Sequence, residues 1–403
     1  MRKIVVIAAV AVLATGLGLP AAEKAEPKNG DVAAVVKGNN EFAFDLYGQL
    51  REKEGNRFFS PYSISTALAM THVGARGDTA TEMAKALHFT LPPDKLNPAF
   101  AELIKQVNGE GRKRGYQLSV ANALWGQSDL GFKEDFLKLT RDNYGAGLNE
   151  VNFAGATEAA RKQINAWVEK QTHDKIKELF KPDILNPGTR LVLTNAIYFK
   201  GDWNSPFKKD LTRDESFDVG DGKIKAPMMH QTAQLKYLDA GTLQVLEMPY
   251  AGKELSMVVL LPKKVAGLGD LEKSLTAEKL AGWLGKVREA AIIVSLPKFK
   301  TTSEFELKDQ LSALGMKKAF GPGADFSGIS STELQITAVV HKAFIDVNEE
   351  GTEAAAATGV AVGDKGGPPS LQEFRADHPF LFLIRDTRTD NVLFLGRIVN
   401  PTK

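Results

Sequence analysis

The chain has 403 residues, 43% of them hydrophobic and 25% charged, the composition of a folded globular protein and not of a disordered one. With 51 basic and 49 acidic residues the net charge is +2, so charge gives no reason to expect nucleic acid or a membrane surface as partner. The absence of cysteine excludes disulfides, thiolate metal sites and cysteine nucleophiles.

Residues 1–22 have the order of a secretory signal: Arg2 and Lys3, an apolar run from Ile4 to Leu13, then small residues through Pro20, Ala21 and Ala22. Cleavage is expected between Gly16 and Ala22. The run is shorter than the roughly 20 residues of a spanning helix, and a retained anchor reaching Leu19 is the alternative. A polar linker fills 23–30. Phe42, Leu46 and Leu50, with Ala43 and Tyr47 beside them, predict one apolar helix face. Ser60 is placed to cap a helix that begins at Pro61, with Ser63 in its first turn. Thr79-Ala80-Thr81-Glu82 reads as a capping box and a further helix start. The first half is therefore expected to be mainly helical.

The second half changes character. Leu191–Phe199, Leu255–Leu261, Ala291–Leu296 and Ile336–Val347 have strand lengths and strand residues, and Phe380–Ile384 with Val392–Ile398 predict a terminal hairpin. Helices followed by strands give an α+β class. No internal period marks a solenoid.

Enzyme motifs are missing. There is no Gly-x-Ser-x-Gly elbow and no His-Glu-x-x-His helix, and the six histidines are scattered. Gly359 to Gly366 has the wrong glycine spacing for a phosphate loop. Gly109-Glu110-Gly111, followed by Arg112, Lys113 and Arg114, misses the dinucleotide pattern and reads as a solvated basic turn. No catalytic residue, metal or cofactor is expected. What remains unexplained is EEGTEAAAATGVAVGDKGGPP, Glu349 to Pro369, a small-residue stretch anchored between two strands and too committed at both ends for a free linker.

Phe59-Ser60-Pro61-x-Ser63-Ile64, Gly74-Ala75-x-Gly77-x-Thr79, Thr194-Asn195-Ala196-Ile197-Tyr198-Phe199-Lys200-Gly201-x-Trp203 and Phe394-Leu395-Gly396-Arg397-Ile398-x-Asn400-Pro401 resemble serpin signatures and occur in the serpin order. Leu296-Pro297-Lys298, Ala324 to Gly328 and His378-Pro379-Phe380 extend the resemblance from about Gly30 to Lys403. It implies a single domain, 31–403, of three β-sheets and eight or nine helices, with an exposed reactive-centre loop at about 349–375. It also implies a monomeric suicide inhibitor of serine proteases, without enzymatic activity, nucleic acid or a stable membrane partner, which the signal segment makes secreted or periplasmic. In that family the cleaved loop inserts into the main sheet while the protease is still held as an acyl-enzyme.

The resemblance assigns the hinge to Gly351, Thr352, Glu353, Ala354, Ala355, Ala356, Ala357 and Thr358. Thr352, Ala354, Ala356 and Thr358 would share one face of an inserted strand, with Glu353 on the other. Counted from Glu349, the scissile residue is Lys365, followed by Gly366, which suits a trypsin-like protease. Val362, for an elastase-like enzyme, is the runner-up and Asp364 a more distant one. Counting from the C-terminal side points near Pro368, a poor substrate position. Ser60, Ser63, Asn195 and His341 match the family's shutter; Trp203, Lys298 and Glu349 match its breach. A non-inhibitory serpin is the second class, but such members usually carry bulky or charged hinge residues and this chain does not.

Overall fold

The computed structural model describes residues 30–109, 115–352 and 371–403. The signal segment 1–22 lies outside them, as does the linker 23–30 except Gly30, which is the first residue of a helix. The described helices are α1 (Gly30–Leu50), α2 (Pro61–His72), α3 (Gly77–Ala86), α4 (Pro93–Asn108), α5 (Glu134–Tyr144), α6 (Phe153–Gln171), α7 (Leu268–Ser274), α8 (Ala277–Leu284) and α9 (Lys308–Ala313). The strands are β1 (Arg57–Phe59), β2 (Tyr116–Gln127), β3 (Leu148–Val151), β4 (Leu191–Asp202), β5 (Arg213–Asp218), β6 (Lys223–Asp239), β7 (Leu243–Pro249), β8 (Leu255–Pro262), β9 (Arg288–Pro297), β10 (Phe299–Glu306), β11 (Ile336–Val347), β12 (Gly351–Thr352), β13 (Gln372–Arg375), β14 (Phe380–Asp386) and β15 (Val392–Ile398).

Local chemistry explains several boundaries. Ser60 holds an extended backbone and its Oγ accepts the Ser63 N–H at 3.1 Å, while Pro61 occupies the first helical position, where no N–H is needed. The capping box at Thr79 is not used. α3 begins two residues earlier, and tertiary partners take both side chains: Thr79 Oγ1 accepts from Asp325 N, and the Glu82 carboxylate accepts from Lys317 N and Lys318 N. In α1, Phe42, Ala43, Leu46, Tyr47 and Leu50 are all buried, as their spacing predicts.

One sheet runs β10-β11-β4-β2-β3, with β12 joined to β4. Its two central members, β11 and β4, are parallel, and Asn195 lies opposite His341. The other sheet runs β1-β15-β14-β8-β7-β6-β9-β13, with β5 on β6. Two of the three expected sheets are thus continuous, because the long β6 pairs with β5 over Lys223–Met228, with β9 over Met228–Tyr237 and with β7 over Lys236–Asp239. β8, β14 and β15 are buried at every position, which is why they read as near-continuous apolar runs. α1 and α2 share a core with the inner face of β4, while its outer face shares a second core with Ala160, Ile164 and Val168 of α6 and with Ile176, Leu179 and Phe180 after it. The far end of the expected loop is a strand: Gln372–Arg375 pairs in parallel with β9.

Candidate functional site

Two polar clusters lie on the line where β4 meets β11. The first is at mid-strand and fully buried. Ser60 N donates to His341 Nε2 at 3.0 Å, which makes Nε2 the acceptor and leaves Nδ1 to donate to Asn195 Oδ1. Asn195 Nδ2 donates to Ser63 Oγ at 2.8 Å and to Asn122 Oδ1 at 2.7 Å. Ser63 Oγ donates to Asn122 Oδ1, Asn122 Nδ2 returns a bond to the Ser63 carbonyl, and Ser60 Oγ donates to the Leu393 carbonyl. Every member is satisfied, so the network carries none of the penalty of an orphaned buried polar group. Burial pushes the His341 imidazole down to about 3, so the ring is neutral at ordinary pH.

The structure therefore brings Ser60, Ser63, Asn195 and His341 together. Sequence reading missed Asn122. Its strand, β2, sits in the half expected to be mainly helical, and only the alternation in YQLSVANALW signalled it.

The second cluster lies at the C-terminal end of β4, roughly 26 Å from Asn195 at strand rise. Here the chain leaves β11 and turns back within two residues. Asn348 N donates to Gly351 O at 2.8 Å and Gly351 N to Asn348 O at 3.2 Å, so Glu349 and Glu350 form the tip of a tight hairpin. β12 then pairs antiparallel with β4, Gly351 opposite Asp202 and Thr352 opposite Gly201. Gly351 has φ +143°, and a Cβ there would lie 2.2 Å from the Gly201 carbonyl oxygen. Only glycine fits that backbone and that approach.

The tip is gripped from outside. Trp203 N donates to Glu350 O at 2.9 Å, Phe207 N to Glu349 O at 2.8 Å, and Trp203 Nε1 to Asn348 O at 3.0 Å. The Trp203 ring is held by stacking on Tyr250, with centroids 4.7 Å apart. Glu349 points inward, 6% exposed, and meets Lys298 Nζ at 2.9 and 3.1 Å and Thr212 Oγ1 at 2.8 Å. Burial alone would raise the Glu349 carboxyl; the Lys298 ammonium and the Thr212 hydroxyl hold it below the usual range instead. The pair is far more enclosed than an ordinary surface bridge, since removing Lys298 would leave a buried carboxylate. Trp203, Lys298 and Glu349 are thus found together, with Thr212, Phe207 and Lys209 as neighbours the sequence did not reveal.

Of the expected hinge, Gly351 and Thr352 are described; Glu353, Ala354, Ala355, Ala356, Ala357 and Thr358 lie outside the described residues. So do Lys365, Gly366 and the runner-up Val362. Among the described residues no group of three or more histidine or acidic side chains is arranged to hold a metal.

The family model for serpins, serine protease inhibitors, matches residues 37–401. A serpin-like protein of Thermococcus kodakarensis is 43% identical over 379 residues, covering 93% of this chain and 87% of its own. The leukocyte elastase inhibitor of Xenopus tropicalis is 44% identical over 372 residues, covering 89% and 97%. Among solved structures, uncleaved ovalbumin superimposes with a TM-score of 0.83 at 33% identity, covering 91% of this chain and 100% of its own.

Proposed function

The chain belongs to the serpin family, and we propose that it is an exported suicide inhibitor of serine proteases, not an enzyme, whose cleaved loop enters the sheet between β4 and β11. The observation that carries this reading is β12. Two residues past the turn are already paired with β4, in the antiparallel sense an inserted strand needs.

Continuing that register gives a test of fit. Ala354 would lie opposite Phe199, Ala356 opposite Ile197 and Thr358 opposite Asn195, all on the inner face. Glu353 would lie opposite Lys200, and Ala355 and Ala357 opposite Tyr198 and Ala196. Tyr198 and Ala196 are buried in a cluster shared with α6 and with Ile176, Leu179 and Phe180 of the segment after it, so both faces of the entering strand are covered at this level. Four successive alanines suit such a slot, where bulk or charge on either face would have no room. Thr358 would arrive where the Asn195–His341 bond has to part, with a hydroxyl able to bond to either partner.

The same register sets Val362 opposite Leu191, the first residue of β4. Lys365 would then lie three residues, roughly 10 Å, beyond the sheet. An enzyme esterified to Lys365 would be carried along roughly 50 Å of strand from Gly351 and pressed against the far pole, and a triad so distorted deacylates slowly. An ester at Val362 would leave the enzyme at the sheet edge itself, which favours Lys365 and a trypsin-like target. The similarity to a leukocyte elastase inhibitor favours the second reading, an elastase-like enzyme cutting after Val362.

Trypsin is the test. The expected result is a complex that survives denaturing electrophoresis, with release of a fragment whose mass begins it at Gly366. Cleavage without a complex would refute inhibition, and a fragment beginning at Gly363 with an elastase would move the bond. For export, the N-terminus of the protein recovered outside the cell is expected between Gly16 and Ala22, with 31–403 as one folded domain.

A further inference from the structure

Insertion in the right register is a demanding step. Side chains alternate along a strand, so a slip of one residue would exchange the two faces of the entering segment and turn Glu353 toward Phe199 and Ile197. Register in a hairpin is set by its turn. The turn here is Asn348 to Gly351, and both of its central residues are glutamates with basic partners.

Glu349, itself buried, uses the half-exposed Lys298. Glu350 uses a different residue: its Oε1 lies 2.5 Å from Lys209 Nζ. Lys209 opens a short 3-10 turn, Lys209–Leu211, none of whose residues is buried. The segment from Trp203 to Thr212 therefore touches each residue of the turn tip. Trp203 Nε1 holds the Asn348 carbonyl, Phe207 N and Thr212 hold Glu349, and Trp203 N and Lys209 hold Glu350. Asn348 Oδ1 accepts the Glu350 N–H at 3.1 Å and closes the turn from within. Any slip would have to pull Glu350 out of this grip.

We infer that Lys209, through its ion pair with Glu350, fixes the register in which the loop enters the sheet. This rests on the inhibitory reading above and makes Lys209 a positioning residue for that reaction, acting before the loop is cut and never touching the protease. The pair is exposed on the Lys209 side, at 70%, so loss of attraction alone would be a small effect. Charge reversal adds repulsion from Glu350 and should loosen the turn about 5-fold or more.

The variants are Lys209→Glu and the swap Lys209→Glu with Glu350→Lys; because neither Lys209 nor Glu350 is buried, both should fold. Two readouts are needed. Amide exchange at Gly351, whose N–H closes the turn, is expected to quicken about 5-fold in the single variant and return in the swap. With trypsin as probe, the moles of protein consumed per mole of enzyme inactivated should rise severalfold in the single variant, while the rate of loop cleavage stays within about twofold. The swap should restore the parental stoichiometry. Unchanged exchange at Gly351 overturns the inference whether or not the parent inhibits trypsin. A parent that is merely cut refutes the inhibitory reading instead, and the exchange measurement alone then decides the anchoring.

Discussion

His341 is where pH reaches the sheet. Its ring is neutral in the fold down to about pH 3, against about 6.5 in the unfolded chain. The unfolded state therefore binds the proton first as pH falls. The stability that the neutral ring contributes is fully present above pH 6.5 and is lost progressively toward pH 3, at up to about 1.4 kcal/mol per unit. His378, held above its usual range although burial lowers it, has the opposite slope, so a variant comparison is needed. Between pH 6.5 and 5, the resistance of the parent to chemical denaturant should fall on acidification; His72, also lowered by burial, adds a slope of the same sign, and His341→Gln should lose the His341 share of it. It should also be less stable by about 1–3 kcal/mol at pH 7, since Ser60 N and Asn195 lose their fitted partner. An identical slope in both proteins would rule His341 out as the titrating group. Gly351 gives a second test at this scale. Gly351→Ala puts a methyl group against the Gly201 carbonyl in an unfavourable backbone region, and about 1–3 kcal/mol of strain is expected to unpair β12. Faster exchange in the turn would report it; full protection would mean that the segment accommodates a side chain.

At the level of elements, the alanine run separates two accounts of the hinge. If one face only is enclosed, Ala354→Lys should block insertion and Ala355→Lys should be harmless. The buried cluster over Tyr198 and Ala196, formed by α6 and the segment after it, predicts that both convert the inhibitor into a substrate, with stoichiometry rising about tenfold or more, whereas Glu353→Gln is tolerated opposite the half-buried Lys200. Complex formation by Ala355→Lys at the parental stoichiometry would restore the one-face account. What could be read beforehand follows the same division. The apolar runs of β4, β8, β11, β14 and β15 were legible because burial of most of their positions leaves few polar interruptions, Asn195 and His341 among them. The cap at Ser60 was legible because it is local. β2 and β6 were not, since their polar outer positions weaken the apolar signal. Thr79 and Glu82 misled because partners distant in sequence, Asp325 and Lys317, claim the groups a cap would use. Asn122, Thr212 and Lys209 have no local pattern at all; only the fold brings them to the residues they serve.

For the whole molecule, the question is why the uncut chain stays as it is. Its loop is fixed at both ends, by β12 on β4 and by β13 on β9, where Arg375 is paired with Glu215 and Asp377. β13 ends opposite Ser295, three residues before the Lys298 that holds Glu349, so both fixed ends lie toward the same pole. If the strand entered as far as Val362, the ten residues to Gln372 would have to lead back from the other pole, a reach of at most about 33–36 Å for a return along β4 of about 36 Å. The intact chain would be taut at full insertion, and β13 opposes it. Cutting between Val362 and Gln372 removes the tether and leaves the new ladder bonds and the covered alanines as net gain. Nicked protein is therefore expected to melt about 5–10 °C or more above the intact form, since each kcal/mol gained moves Tm by roughly 1 °C in a chain of this size. The measurement is calorimetry before and after limited proteolysis, with the two fragments kept together. A melting temperature that stays put or falls on nicking would mean that the severed segment gains nothing from the sheet, and the proposed mechanism would have no driving force.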